Sequence, residues 1–243
     1  MPKPIIQTHG TYATVDADPL FPSVPGHRNL DSTLFNVSGK YYAPFPPFHI
    51  VGFIAHILIP IYTSGITVFG APSRPPSASL VAEVLQQQTI RALWLPPVLI
   101  EQMLHDPLAL SLLKKVPVVC FSGGPLGQAA GDELVKYTNL CQIYGSTEMT
   151  LIKLLFPEKE DWDYMYFHPN LNLEFQPSTD DSFELVVFPD ENSREHLGLN
   201  HNFPNVKEWR TKDLFIKHPT KPVSDTILIG LSSFGGFSSK YGY

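Results

Sequence analysis

The sequence predicts an α/β fold: a mostly parallel sheet with helices on both faces, joined to a smaller, partial antiparallel β unit. Three observations predict it. Between residues 50 and 150, short apolar runs alternate with helical ones at the spacing of βαβ units. After Thr150 that alternation stops, and residues 171–175, 183–188 and 213–217 read as separate antiparallel strands joined by charged loops such as Glu158-Lys159-Glu160-Asp161. Finally, 243 residues with 43% hydrophobic and 12% aromatic side chains can bury a sizeable core.

In chain order, Thr8 is a candidate N-cap for a helix over 9–16. Residues 17–36 read as loop, with Pro19, Pro22, Pro25 and Gly26 as breakers, and 41–48 as a strand or an extended run bent by its prolines. A helix over 50–59, a strand over 66–69, a helix over 79–87 and a strand over 91–95 follow. Next come helices over 98–105 and 108–114, a strand over 116–121, a helix over 128–137 and a strand over 140–144. No Lys, Arg, Asp or Glu lies between Lys40 and Arg74, a length that would suit a membrane span. Pro60, Ser64 and Gly65 interrupt it and His49 and His56 sit inside, so a buried helix followed by a strand is the better reading. From Val223 the chain turns rich in Gly and Ser, the composition of a flexible end. The expected divisions are 1–150 (α/β), 151–222 (partial β-rich unit) and 223–243 (low-complexity tail).

Composition excludes several functions. A net charge of −6 lacks the basic patch of a nucleic-acid binder. Cys120 and Cys141 both fall in strand-like runs, which predicts two buried free thiols in a reducing, cytoplasmic setting; Met1-Pro2-Lys3 starts no signal peptide. The 24 prolines sit largely in loops, so many connections are stiff. His196 and His201 lack a third partner for zinc. A nucleophile elbow needs Gly-x-Ser-x-Gly, but Cys120 stands two before Ser122 and Glu148 two after Ser146.

The chemistry concentrates where the last α/β strand ends, at Tyr144-Gly145-Ser146-Thr147-Glu148. A tight turn, two hydroxyls and a carboxylate within a few residues are the groups a magnesium-bound phosphate ester needs. The same residues also suit an ordinary strand-to-loop turn. Ser122-Gly123-Gly124-Pro125 ends the preceding strand. Ligands of parallel sheets sit beyond the strands' carboxyl ends, so the two loops share one rim.

Tyr144-Gly145-Ser146-Thr147-Glu148-Met149-Thr150 resembles the adenine- and phosphate-contacting motif of the adenylate-forming superfamily, which includes acyl-CoA synthetases and nonribosomal peptide synthetase adenylation domains. Pro2-Lys3-Pro4-Ile5 resembles the end of that family's phosphate loop. Pro46-Pro47-Phe48-His49-Ile50-Val51-Gly52 resembles its Phe-His motif, and Trp209-Arg210-Thr211-Lys212-Asp213-Leu214 its Tyr-Arg-Thr-Gly-Asp-Leu motif. The continuation through Lys217-His218-Pro219 is similar to fungal synthetase-like and carboxylate-reductase-like members. The resemblance implies that ATP and a carboxylic acid give an acyl-adenylate, which passes to CoA or to the phosphopantetheine of a carrier-protein domain. Thr147, Glu148 and Lys3 would be catalytic, with Glu148 holding Mg²⁺. Ser122, Gly123, Gly124, Tyr144, Gly145, Ser146, Thr147 and Asp213 would bind ATP or AMP, with Tyr144 packed on the adenine and Asp213 on the ribose. His49, Gly123 and Gly124 would line the acyl site. Where amino-acid-activating relatives place an Asp, His49 implies an acid without an α-amino group. Lys212 replaces the motif's glycine. The resemblance also implies a core truncated at both ends, weakly active or inactive. A non-catalytic nucleotide-binding remnant or interaction module is the alternative, and a gene fragment unable to fold alone is a third.

Overall fold

The computed structural model describes residues 4–35, 38–178 and 181–221, and the backbone of 227–231. Strands β3 (Ala92–Leu95) and β4 (Val118–Phe121) are buried at every position, as strands covered on both faces must be. They belong to a five-stranded sheet with β1 (Gly39–Tyr42), β2 (Gly65–Val68) and β5 (Asn139–Gln142), in the order β2-β1-β3-β4-β5. Every pairing is parallel. Alternate residues feed two cores. Tyr41, Trp94, Cys120 and Cys141 pack with Leu34, Ile54 and Leu58 on one face. Tyr42, Leu93, Leu95 and Phe121 pack with Val81, Ile100, Met103 and Leu134 on the other. Cys120 and Cys141 are register neighbours, both buried and free.

The helices start where the sequence offers caps. For α1 (His9–Asp16), Thr8 accepts from the Thr11 N–H and the Thr11 side chain returns the bond, a capping box. Between α1 and β1 lies α2 (Leu30–Leu34). The residues after Tyr42 lead into one helical run: α3 (Ile50–Phe53), a π turn (Ile54–Leu58) and α4 (Ile59–Tyr62). On the opposite face α5 (Ala78–Gln87) is capped by Ser77. It is followed by α6 (Pro97–Leu104), α7 (Pro107–Leu113), which Asp106 caps, and α8 (Gln128–Leu134).

The helix expected to end near residue 59 continues through Pro60, and the π turn explains how. The Ile59 N–H bonds to the Ile54 carbonyl. The Ala55 carbonyl would then await a donor from Pro60, which has none. Instead the Tyr41 hydroxyl donates to it, and Thr67 Oγ1 lies 3.0 Å from it. The residue that should have broken the helix thus ties it to β1 and β2.

After β5 come a small hairpin, β6 (Gly145–Ser146) with β7 (Thr150–Leu151), and then a six-stranded antiparallel sheet. Its strands are β8 (Leu154–Leu155), β9 (Tyr164–Phe167), β10 (Leu173–Pro177), β11 (Ser182–Val187), β12 (Trp209–Lys217) and β13 (Ile227–Leu231), ordered β10-β11-β12-β13-β9-β8. A short α9 (Leu199–Asn202) precedes β12. Two expectations are corrected. The loop over 17–36 contains α2, held because Leu30 and Leu34, one turn apart, are 2% and 0% exposed. The tail from 223 contributes β13, which bridges β12 and β9 through backbone pairing; its apolar start, Ile227-Leu228-Ile229, was overshadowed by the Gly/Ser run that follows. Among the described residues no helix is long and apolar enough to cross a membrane.

A buried ion cluster ties the start of the chain to the segment after the hairpin. Lys153, 5% exposed, donates to the Asp18 carboxylate and lies 3.4 Å from Asp31 Oδ2. One cation faces two buried carboxylates. Burial pushes the Asp18 carboxyl from 3.8 up to about 7, against the attraction of Lys153 and with repulsion from Asp31 adding to the rise. The folded state therefore holds this proton more tightly than the unfolded chain does. Its stabilisation is complete below the unfolded value of 3.8 and is lost as pH rises towards about 7. Replacing Asp18→Asn is expected to remove that slope. In urea midpoints measured at intervals from acid to neutral pH, wild type should lose ground to the variant as pH rises from 3.8 towards about 7; a constant difference or the opposite trend contradicts the assignment.

Candidate functional site

Beyond β5 the chain runs through Ile143 and Tyr144 into the hairpin. At Gly145 a Cβ would come within 2.1 Å of the Thr150 carbonyl oxygen, so the tight crossing requires glycine. The intervening turn is gripped from outside. Gln7 Nε2 donates to the Thr147 carbonyl at 2.7 Å, and Asn202 Nδ2 to the Glu148 carbonyl at 2.9 Å. Asn202 is itself held by the Thr11 hydroxyl, which donates to its Oδ1. Ser146 Oγ accepts from the Met149 N–H at 3.3 Å. With the backbone committed this way, the Thr147 hydroxyl and Glu148 carboxylate have no hydrogen-bond partner among the described residues. Thr147 is exposed and Glu148 half-buried.

Tyr144 joins the two sheets. Its ring packs edge-on against Phe215 and Phe167, with centroids 5.6 and 6.0 Å apart. Its hydroxyl donates to Asp213 Oδ2 at 2.6 Å. Burial, then the adjacent Asp213 charge, push the phenol well above its ordinary value, so it stays a donor. Burial also raises Asp213, and the Tyr144 bond opposes that rise. The ring is 4% exposed, so Tyr144 presents Asp213 rather than the open stacking face expected of it.

Asp213 is aimed by a bulge. The β11–β12 register shifts between Glu184 and Val186. Within the bulge the Thr211 hydroxyl donates to the Leu185 carbonyl and accepts from the Asp213 N–H. Lys212 sits at φ +65°, with its N–H on Glu184 Oε1. A lysine therefore occupies a left-handed geometry that a glycine would adopt without strain, at a cost of about 1–2 kcal/mol.

The other expected residues divide. Ser122 is 6% exposed and its Oγ accepts from Trp94 Nε1 at 2.8 Å, so it serves the core. Gly123, at φ +85°, and Gly124 have no atom within 4 Å of a Cβ position and open onto free space. His49 is exposed and caps α3, Nδ1 accepting from the Val51 N–H at 3.3 Å. Lys3 lies outside the described residues.

Sequence reasoning missed Gln7 and Asn202, and it gave Gln142 no role. A cavity of about 480 Å³ opens beside the glycine loop. It is bounded by Phe121 and Gln142 at the ends of β4 and β5, Leu126 and Gln128 beyond the loop, and Trp162 and Tyr164 across from them. Gln142 is 5% exposed, and its amide has no hydrogen bond among the described residues. No group of three or more His, Cys, Asp or Glu among the described residues could hold a metal. A lone Glu148 fits Mg²⁺, which typically takes one or two carboxylates and completes its shell with phosphate and water.

A family model described as AMP-binding enzyme matches residues 1–168. The chain belongs to that family. Among the proteins it resembles are the isocyanide synthase-NRPS hybrid crmA of Aspergillus fumigatus, 32% identical over 91% of this chain, and a carboxylic acid reductase of Neurospora crassa, 29% identical over 90%. The matched region spans only 14% and 21% of those proteins' lengths. Solved structures with the same fold include a benzoate CoA ligase from Burkholderia xenovorans, with TM-score 0.66 and 14% identity, and CmiS6, with TM-score 0.67 and 13% identity. The chain is covered to 95% and 96% in these matches, and it spans 47% and 58% of those structures.

The bulge gives a test. Lys212→Gly relieves the left-handed strain but adds about 0.5–1 kcal/mol of unfolded-state entropy, so stability is expected to hold or rise by up to about 1 kcal/mol. Lys212→Val should lose about 1 kcal/mol or more, because a β-branched side chain tolerates positive φ worst. Urea unfolding decides; equal losses in both variants would contradict the strained geometry.

Proposed function

We propose that this chain forms the nucleotide- and acyl-binding portion of an enzyme that activates a carboxylic acid with ATP. The observation that carries the proposal is the Tyr144–Asp213 bond, which brings the phosphate turn and the aspartate of two separate sheets together. In this reading Asp213 accepts both ribose hydroxyls, Thr147 donates to the phosphate, and the Gln142 amide, able to donate and accept, meets the edge of a base in the adjoining cavity. Glu148 would hold Mg²⁺, which neutralises the phosphate charge that develops as the carboxylate displaces pyrophosphate. Gly123 and Gly124 let the acyl group approach the backbone. The products are an acyl-adenylate and pyrophosphate, and a thiol then takes the acyl group. CoA and the pantetheine of a carrier domain are both compatible acceptors; the hybrid synthetase and reductase relatives favour the carrier.

Calorimetry tests the site directly. AMP should bind residues 1–243, and Asp213→Ala should weaken binding at least about tenfold. Glu148→Gln should abolish any Mg²⁺ dependence of ATP binding while sparing AMP. Wild type that ignores AMP refutes the proposal. These residues carry Lys3 but not the glycine-rich body of a phosphate loop, and one pre-organised donor alone can be worth ~10²–10³ in rate. Carboxylate-dependent pyrophosphate exchange by residues 1–243 is therefore expected to be weak or undetectable, and robust exchange contradicts this.

The substrate proposal rests on His49, whose neutral Nδ1 is engaged in capping and offers no permanent negative charge for an ammonium group. Asp is a strong N-cap, so His49→Asp should fold normally. In an active full-length relative carrying the same motif, the exchange should move preference towards amino acids; an unchanged substrate panel rules the role out.

A further inference from the structure

The far wall of the cavity, Trp162 to Tyr164, belongs to neither rim loop, and something must hold it in place. One end is fixed by packing. Trp162 lies so close on α8 that a Cβ at Gly131 would come within 2.1 Å of it, and its Nε1 donates to Asp132 Oδ1 at 3.0 Å. The other end depends on His218, whose side chain is 10% exposed. Nδ1 of His218 accepts from the backbone N–H groups of Thr220 and Lys221 at 3.2 and 3.0 Å. That leaves the proton on Nε2, which lies 3.2 Å from Asp161 Oδ1. Asp161, 3% exposed at its side chain, also accepts from Tyr166 and Lys221. The His218 ring packs on Tyr164 with centroids 4.5 Å apart.

We infer that His218 is a positioning residue for the base pocket: its fixed tautomer clamps Asp161, and its ring sets Tyr164, so that the Trp162–Tyr164 wall stands opposite Gln142. This rests on the nucleotide reading given above. His218 touches no reacting atom. Its effect passes through the wall alone and therefore concerns the base, not the sugar or phosphate held by Asp213 and Thr147.

His218→Asn separates this role from a merely structural one. Asn Oδ1 can still accept from the turn N–H groups, but the ring over Tyr164 and the donor to Asp161 are gone. Titrations of the full chain, followed by NMR, should give AMP affinity about tenfold weaker in the variant, with ribose 5-phosphate within about twofold of wild type. Tyr164→Leu, made in parallel, should show the same selective loss even if the histidine variant folds poorly. Equal losses for both ligands, or unchanged AMP affinity in both variants, overturn the inference. Wild type that binds ribose 5-phosphate but gains nothing from the base of AMP overturns the base pocket itself.

Discussion

A buried phenol donating to a half-buried carboxylate is the constraint on which the arrangement rests. Tyr144 leaves the parallel sheet and enters an aromatic cluster of the antiparallel one, where Phe167, Phe175 and Phe215 meet edge to face. Such packing fixes a ring more tightly than area burial alone, so the hydroxyl arrives at a defined point. There it meets Asp213, whose lone pairs would otherwise be costly to bury. The apolar contact and the polar one support each other. Moving either sheet breaks both.

Much of the fold was legible because its signals are local. Thr8, Ser77 and Asp106 cap helices through bonds to residues two or three ahead, and strands β3 to β5 announce themselves as short apolar runs. The turns that end β4 and β5 were legible for the same reason. What escaped depends on partners far along the chain. Residues 30–34 carry no helix signal strong enough to outweigh nearby breakers, and their packing against distant core residues decides the matter. Lys153 gave no hint of burial, because its compensating charges lie more than a hundred residues away. Ser122 looked like a ligand residue beside two glycines; only the indole of Trp94 reveals that it faces inward.

Lys212 shows how neighbouring bonds can hold a side chain where a glycine would sit more easily. The bulge is imposed by bonds from its neighbours, Thr211 to Leu185 and the Lys212 N–H to Glu184. Those bonds offset the strain of a side chain at positive φ. A glycine is the comfortable occupant of such a position, but the surrounding hydrogen bonds, not the residue, define the geometry that directs Asp213.

The grip on the 147–149 turn has a consequence for how the protein is made. Its two anchors lie far apart along the chain: Gln7 near the beginning, and Asn202, which Thr11 holds across 191 positions. Contacts of such long sequence separation carry a loop-closure cost and are intrinsically slow to form. On the ribosome, a nascent chain that has already completed the parallel sheet would still carry a slack turn at 147–149. That turn would be fixed only once the segment bearing Asn202 emerges, and Asp213 follows later still on β12, so the two sides of the candidate site are completed one after the other.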